Sequence, residues 1–407
     1  MASIKRVVVT GVGAVSSAGV GAGRLWDAAR EGRSCVTPLT FPHPYRGRIT
    51  IGAQVRGFDP TLYIDKAVMP FCDPVTQYIL VAADEAMAQA GFDRSTRLGP
   101  RSATIIGSGI GGMTTIEAGI HNALMGTGRP DPLTVPRLIP SACPSNVSMR
   151  YGIQGPAFSV ASACSSATQA IGLGLQMIRA GLVDIALVGG TEDHITNNAM
   201  YAWEGLRVMT PDFCRPFSKG RNGMVIGAGA GLVILESEEH ARARGATILA
   251  VLAGYGTTSD AKDPVRPDVT GAAAAMSAAI ADAGLESDDI DYINAHGTAT
   301  IVNDSTEAAA IGVVFGDRAP HVPVSSTKPI HGHGLGAAGA LELVVTLGAL
   351  RDQIAPPTIN WREADEKCPV DCIPNEARPM TIKNAMSNSF AFGGINAVLI
   401  VQAPEAA

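Results

Sequence analysis

Basic residues are in short supply: 31 Lys and Arg face 37 Asp and Glu, giving a formal net charge of −6. That balance excludes a nucleic-acid binder whose affinity comes from phosphate neutralisation, so any anionic partner must meet a local basic patch. Long apolar runs are also missing. No stretch reaches the roughly 20 apolar residues that a membrane-spanning helix needs. The most apolar helix-like segment, "GALELVVTLGAL", carries Glu342 inside it. The start, "MASIKRVVVTGVGAVSSAG", imitates a signal peptide, but Thr10, Gly11 and Gly13 interrupt a run that reads better as a buried strand entering a turn. The expected location is cytoplasmic. Seven scattered cysteines make no disulfide framework, and Cys368 and Cys372 in "CPVDC" have no second pair to complete a zinc site. Charged residues are only 17% of the chain. Apolar residues make up 46%, ample for a large core, and 46 Gly with 26 Pro fit an α/β protein with many tight turns.

Apolar strand-like runs alternate with helix-like segments: "RVVVTGV", "SATIIGSG", "VDIALVGG", "GLVILES", then "ILAVLAGYG", "IDYINAHG", "VPVSSTK" and "AMSNSFAFGGINAVLIVQA". Such alternation predicts βαβ units and largely parallel, buried sheets. Each half opens on an apolar strand with a Gly-rich turn and closes on a Gly-rich strand pair. An internal duplication is therefore expected, dividing the chain into 1–245 and 246–407 with its seam near 242–249.

In "SVASACSSATQAIGLG", Cys164 stands where a strand-like run gives way to small and apolar residues spaced as on one helix face, Ala167, Ile171, Gly174 and Ile178. A thiol at a helix N-terminus meets free backbone N–H groups and the positive end of the helix dipole, which stabilise a thiolate. A buried cysteine also serves as plain packing. "NAHGTATIVND" puts His296 after an apolar strand, where ligands bind in open α/β sheets. "SSTKPIHGHGLGAAGALE" holds Lys328, His331 and His333 ahead of a helix near Gly336. Singly, each histidine also reads as a hydrogen-bonded structural residue. A zinc site of His331, His333, His296 and Cys164 lacks the tight recurring spacing of metal sites. "VVVTGVGAVSSAG" is one glycine short of the dinucleotide fingerprint and lacks the acidic residue expected about twenty positions on.

Taken together, "SACSSA", "RPFSKGRNGMVIGAGAGLVILE", "NAHGTAT", "STKPIHGHGLGAAGALE" and "NSFAFGGINA" resemble the elongating β-ketoacyl-[acyl carrier protein] synthases over nearly the whole chain. The resemblance implies a thiolase-like α/β fold, a duplicated five-layer α-β-α-β-α sandwich, working as a homodimer or as a heterodimer with a related subunit. It implies a decarboxylating acyltransferase with Cys164 as nucleophile, His296 and His333 as active-site histidines and Lys328 as active-site lysine. No free cofactor or metal is implied, because phosphopantetheine arrives on the acyl carrier protein. Phe392 matches an oxyanion-hole position in a gating turn with Phe390 and Ala391, and Glu307 is expected to form an orienting ion pair with Lys328. Thr298 and Thr300 match pantetheine-binding positions, Ile110 and Trp203 the acyl pocket, and Lys66, Arg129 and Arg207 the carrier-docking surface. Histidine at 333 distinguishes an elongating enzyme from thiolases and chain-initiating synthases. The alternative is a non-catalytic chain-length-setting subunit, which lacks the nucleophile.

Departures from the family pattern are Ala391 for Gly, Ile395 for Thr, Met224 for Phe, Ala228 for an acid and Ala299 for Gly or Ser. In the docking region, Ala67 and Pro70 replace basic residues. They point to a specialised member that makes a polyene, a lipid-signal chain or another secondary product, and parts of the chain resemble synthases that modify nodulation-signal acyl chains.

Overall fold

The valine-rich start becomes strand β1 (Val7–Ser16), buried at all 10 positions, and a strand buried on both faces must be covered on both. The structure is a computed structural model and describes residues 5–126 and 131–404. β1 belongs to a set of five with β2 (Ser102–Gly107), β3 (Ala157–Val160), β4 (Ile185–Glu192) and β5 (Gly229–Ser237), which lie side by side in the order β1-β5-β4-β2-β3. The second set is β6 (Ala250–Ser259), β7 (Tyr292–Asn294), β8 (Pro323–Ser325), β9 (Asn384–Ala391) and β10 (Ile395–Gln402), ordered β6-β10-β9-β7-β8. Each set follows the same path, first strand, fifth, fourth, second, third. The directions repeat as well. The first three strands along each path are antiparallel and the last two join in parallel.

The expectation of largely parallel sheets is therefore corrected. β9 returns as β10 through Phe392, Gly393 and Gly394, a turn too short for the crossover that parallel strands require. Gly393 and Gly394 have φ of 84° and 69°, which a side chain would resist.

Helix α1 (Pro74–Gln89) packs on β1 and β5, and helix α3 (Val269–Asp282) on β6 and β10. The two sets join where Val8 and Val9 of β1 pair with Val251 and Ala250 of β6, and between them lie α2 (Ser166–Arg179) and α5 (Ala338–Asp352), which touch strands of both sets. The layers thus run α-β-α-β-α. α5 is buried without interruption from Ala338 to Leu350, so its sequence carries no polar face. The two inner helices meet at Gly339, where a Cβ would lie 2.0 Å from Thr168 Oγ1. Helix α4 (Ile301–Phe315) follows β7 and is capped by the Thr300 hydroxyl, which accepts from the Asn303 N–H. No helix among the described residues is long and apolar enough to cross a membrane.

Candidate active site

Beyond β3 the chain turns sharply through Ala163, whose φ of 48° is costly for a residue with a Cβ. The 3-10 turn Ala163–Ser165 then runs straight into α2 and sets Cys164 at the helix's positive end. The backbone N–H groups of Phe392 and of Cys164 itself reach the sulfur. Burial nevertheless pushes the thiol up to about 12, against the pull of Lys328 and these N–H groups. The resting group is a thiol that needs a proton acceptor. His333 Nε2 stands 3.0 Å from Sγ.

His333 is held by its main chain: its N–H donates to Val225 O at 2.7 Å and its carbonyl accepts from Gly227 N at 2.9 Å. The His296 ring lies 5.4 Å from that of His333, nearly perpendicular at 83°, and the Phe390 ring closes its other side at 6.2 Å. Burial and the Lys328 charge hold both imidazoles well below the ordinary histidine range, so they are neutral. Lys328 Nζ donates to His296 O at 2.5 Å and lies 3.3 Å from His296 Nδ1. An ammonium has only donors, so Nδ1 is the acceptor and the ring proton belongs on Nε2, the edge opposite Lys328.

The expected Lys328–Glu307 ion pair is not formed. Lys328 pairs instead with Glu342, which reaches it from α5, and both side chains are fully buried. Glu307 accepts the N–H groups of His296 and Gly297, each at 2.8 Å, together with the Asn388 amide at 3.1 Å. It fixes the backbone of the His296 loop rather than the lysine.

A cavity of about 350 Å³ opens onto these groups, lined by Cys164, His296, His333, Phe390, Ala391 and Phe392. Thr298 and Thr300 also line it, with their hydroxyls 2.9 Å apart, and exposed Arg207 belongs to its wall. Ile110 and Trp203 pack in one apolar cluster with Cys164, Leu335 and Ala391. Lys66 is exposed, away from this lining, and Arg129 lies outside the described residues. His331 has both ring nitrogens engaged, by Thr327 Oγ1 and Gly332 O at 2.9 Å, which removes it from the zinc reading. Donor atoms of Cys164, His296 and His333 do lie within 4.8 Å of one another. The Lys328 ammonium against His296 is a poor neighbour for a second cation.

Two acids were not singled out as site residues. Glu342 was visible as a lone carboxylate in an apolar run. Glu192 accepts from Gly109 N at 2.6 Å and Gly336 N at 3.1 Å, tying the Ile110 turn to the segment after His333. Its signal was an acid at the C-terminal end of a buried strand, "VDIALVGGTE".

The family model "Beta-ketoacyl synthase, N-terminal domain" matches residues 4–241, and "Beta-ketoacyl synthase, C-terminal domain" matches 249–362. The chain belongs to the β-ketoacyl synthase family. This synthase is 44% identical to "Nodulation protein E" of Rhizobium sp. (strain N33), over 97% of its length and 98% of the relative's. It is 40% identical to "3-oxoacyl-[acyl-carrier-protein] synthase 2" of Staphylococcus aureus (strain COL), over the whole of both chains. Among solved structures, "The ishigamide ketosynthase/chain length factor" superposes with a TM-score of 0.94 at 36% identity, covering 99% of this chain and 100% of that one. The β-ketoacyl synthase is a decarboxylating acyltransferase that condenses an acyl thioester with a malonyl thioester. Its acyl groups arrive on the phosphopantetheine arm of an acyl carrier protein, with no free cofactor.

Proposed function

We propose that Cys164, His296 and His333 divide the condensation among them, within a specialised fatty-acid or polyketide pathway. The contact that carries this reading is Cys164 Sγ at 3.0 Å from His333 Nε2 at the start of α2. In the first half-reaction Sγ bonds to the acyl carbonyl carbon and the carrier's thiol departs, taking the proton that Sγ passes to His333 Nε2. Malonyl carrier then enters. Its terminal C–C bond breaks, carbon dioxide leaves, and the electron pair becomes an enolate. The enolate oxygen accepts from His296 Nε2–H and from the Nε2–H tautomer of His333, which no longer faces a thiol. The α-carbon attacks the acyl-cysteine carbonyl, whose oxygen moves toward the N–H groups of Cys164 and Phe392. Collapse expels the Cys164 thiolate, which recovers a proton as the β-ketoacyl carrier leaves.

Lys328 is a positioning residue in this scheme: it fixes the His296 tautomer, and Glu342 neutralises it. Ile110 and Trp203 bound the acyl chain, Thr298 and Thr300 the pantetheine arm, and Arg207, Lys66 and Arg129 meet the acidic carrier. We further propose a cytoplasmic dimer of chains, each built from duplicated halves 1–245 and 246–407. A subunit that only sets chain length has no use for a cysteine held at an imidazole, which favours the catalytic reading. Mass spectrometry of the protein after incubation with acyl carrier proteins of graded length tests it. An acyl adduct on Cys164 is expected, and a protein that makes product without one overturns the scheme.

A further inference from the structure

His194 is fully buried, and neither ring nitrogen has a hydrogen-bond partner among the described residues. At the end of β4 and just beyond it, Glu192 accepts from the Gly109 and Gly336 N–H groups, Asp193 meets the Tyr78 hydroxyl at 3.1 Å, and His194 follows them. There its ring lies 5.8 Å from that of Trp203, which itself stacks 6.3 Å from Phe392 and lines the cavity that holds Cys164. Burial holds His194 at about 3, so the ring is neutral and offers one N–H donor and one lone-pair acceptor. Buried polar groups are nearly always paired, and one left unpaired loses its full hydration. A hydrophobic side chain would fill the same place without that loss, so an imidazole there is accounted for by a ligand that brings the partner.

We propose that His194 is a specificity-determining residue that hydrogen-bonds an oxygen substituent on the acyl chain accepted by Cys164. The inference rests on the reading of Cys164 as nucleophile. Condensation leaves a ketone at C3 of its product, and a chain that returns without full reduction carries oxygen at C3, then at C5 after another round. The substrate class is therefore an acyl thioester bearing an oxo or hydroxyl group at an odd carbon near the thioester. The reaction that supplies it is an earlier condensation not followed by complete reduction.

The test presents octanoyl carrier protein in competition with its 3-oxo, 3-hydroxy, 5-oxo and 5-hydroxy counterparts, and reads the Cys164 adducts by intact-protein mass spectrometry. The wild-type chain should load at least one oxygenated chain about tenfold over octanoyl, the scale of one buried hydrogen bond. In His194→Leu that ratio should fall toward one, and in His194→Gln part of it should survive. Ratios within one variant do not depend on how much of it folds. A wild-type ratio near one for every chain, or a ratio unchanged in His194→Leu, overturns the inference while leaving the nucleophile intact. No adduct from any chain overturns the reading of Cys164, and this inference with it.

Discussion

The two halves run the same five strands in the same order yet place different chemistry at matching points. After the third strand, the first half sets Cys164 at the start of α2, and the second sets Lys328 and His333 ahead of α5. After the second strand, one half carries the turn of Ile110 and the other carries His296. Between the fourth and fifth strands, one inserts residues 193–228, with His194, Trp203 and Arg207, where the other turns in 392–394. The fold thus supplies three ligand-facing positions twice over, at the C-terminal ends of strands as α/β sheets generally do. In the proposed scheme the first half's positions hold the nucleophile and bound the acyl chain, and the second half's hold proton donors and the charge that orients them.

The largest expected effect breaks that division at the sulfur. Cys164→Ala should lower condensation by about 10⁴-fold or more, the scale of losing a covalent nucleophile. Cys164→Gln should also fail to condense but keep or raise malonyl decarboxylation, because its amide occupies the place of the acylated sulfur and the second half's groups remain. Carbon dioxide release without β-ketoacyl product is the measurement. If Cys164→Gln loses decarboxylation in step with condensation, the halves do not act separably.

Next is the second half's buried ion pair. Lys328→Met leaves Glu342 fully buried without its counter-ion, and breaking such a pair costs about 3–5 kcal/mol. The double variant Lys328→Met with Glu342→Leu removes both charges and should recover most of that loss in a denaturant titration without recovering activity. Stability recovered together with activity would show that Lys328 does not position His296.

What could be read in the sequence follows the same line between backbone and pairing. Alternation of "VVV", "ATIIG" and "ALVGG" with helical segments located the strands, and the helix face of Ala167, Ile171 and Ile178 located α2, because burial writes itself into periodicity. Strand direction did not, since a buried antiparallel hairpin between two helical layers is as apolar as a parallel strand. The Cys164, His296 and His333 cluster came from a resemblance; periodicity alone left each residue a core candidate. Lys328's partner is not legible in the sequence because Glu307 and Glu342 both follow a site loop, and only the packing of α5 between the two strand sets decides which carboxylate meets Nζ. His194 passed unnoticed because an unpaired imidazole is invisible until its neighbours are known.

A third prediction concerns where the proton rests. With the thiol raised to about 12 and both histidines neutral, Cys164 is protonated throughout the neutral range. The thiolate fraction then grows about tenfold per pH unit. Alkylation of Cys164 by iodoacetamide should rise with a logarithmic slope near one from pH 7 to 9, without a plateau or an inflection near 6.5. A plateau below pH 8 would mean that the two halves already exchange the proton at rest, as a thiolate and an imidazolium.

The smallest effect sharpens the comparison at one backbone device that both halves share. Each enters its inner helix through a 3-10 turn whose first residue has a left-handed backbone: Ala163 at φ 48° before α2 and Leu335 at φ 45° before α5. Glycine at either position relieves about 1 kcal/mol of strain but costs a similar amount through the freer unfolded chain. Ala163 is half-buried and loses little side chain, so Ala163→Gly should change stability by less than about 0.5 kcal/mol. Leu335 is 5% exposed and packs on Cys164 and Ala391. Leu335→Gly should therefore cost about 2–4 kcal/mol through lost burial and the space it opens beside the sulfur. Within this pair the common backbone term cancels, leaving the side chain's share. Equal losses in chemical denaturation would mean that the turn itself, rather than the packing beside Cys164, governs this part of the site.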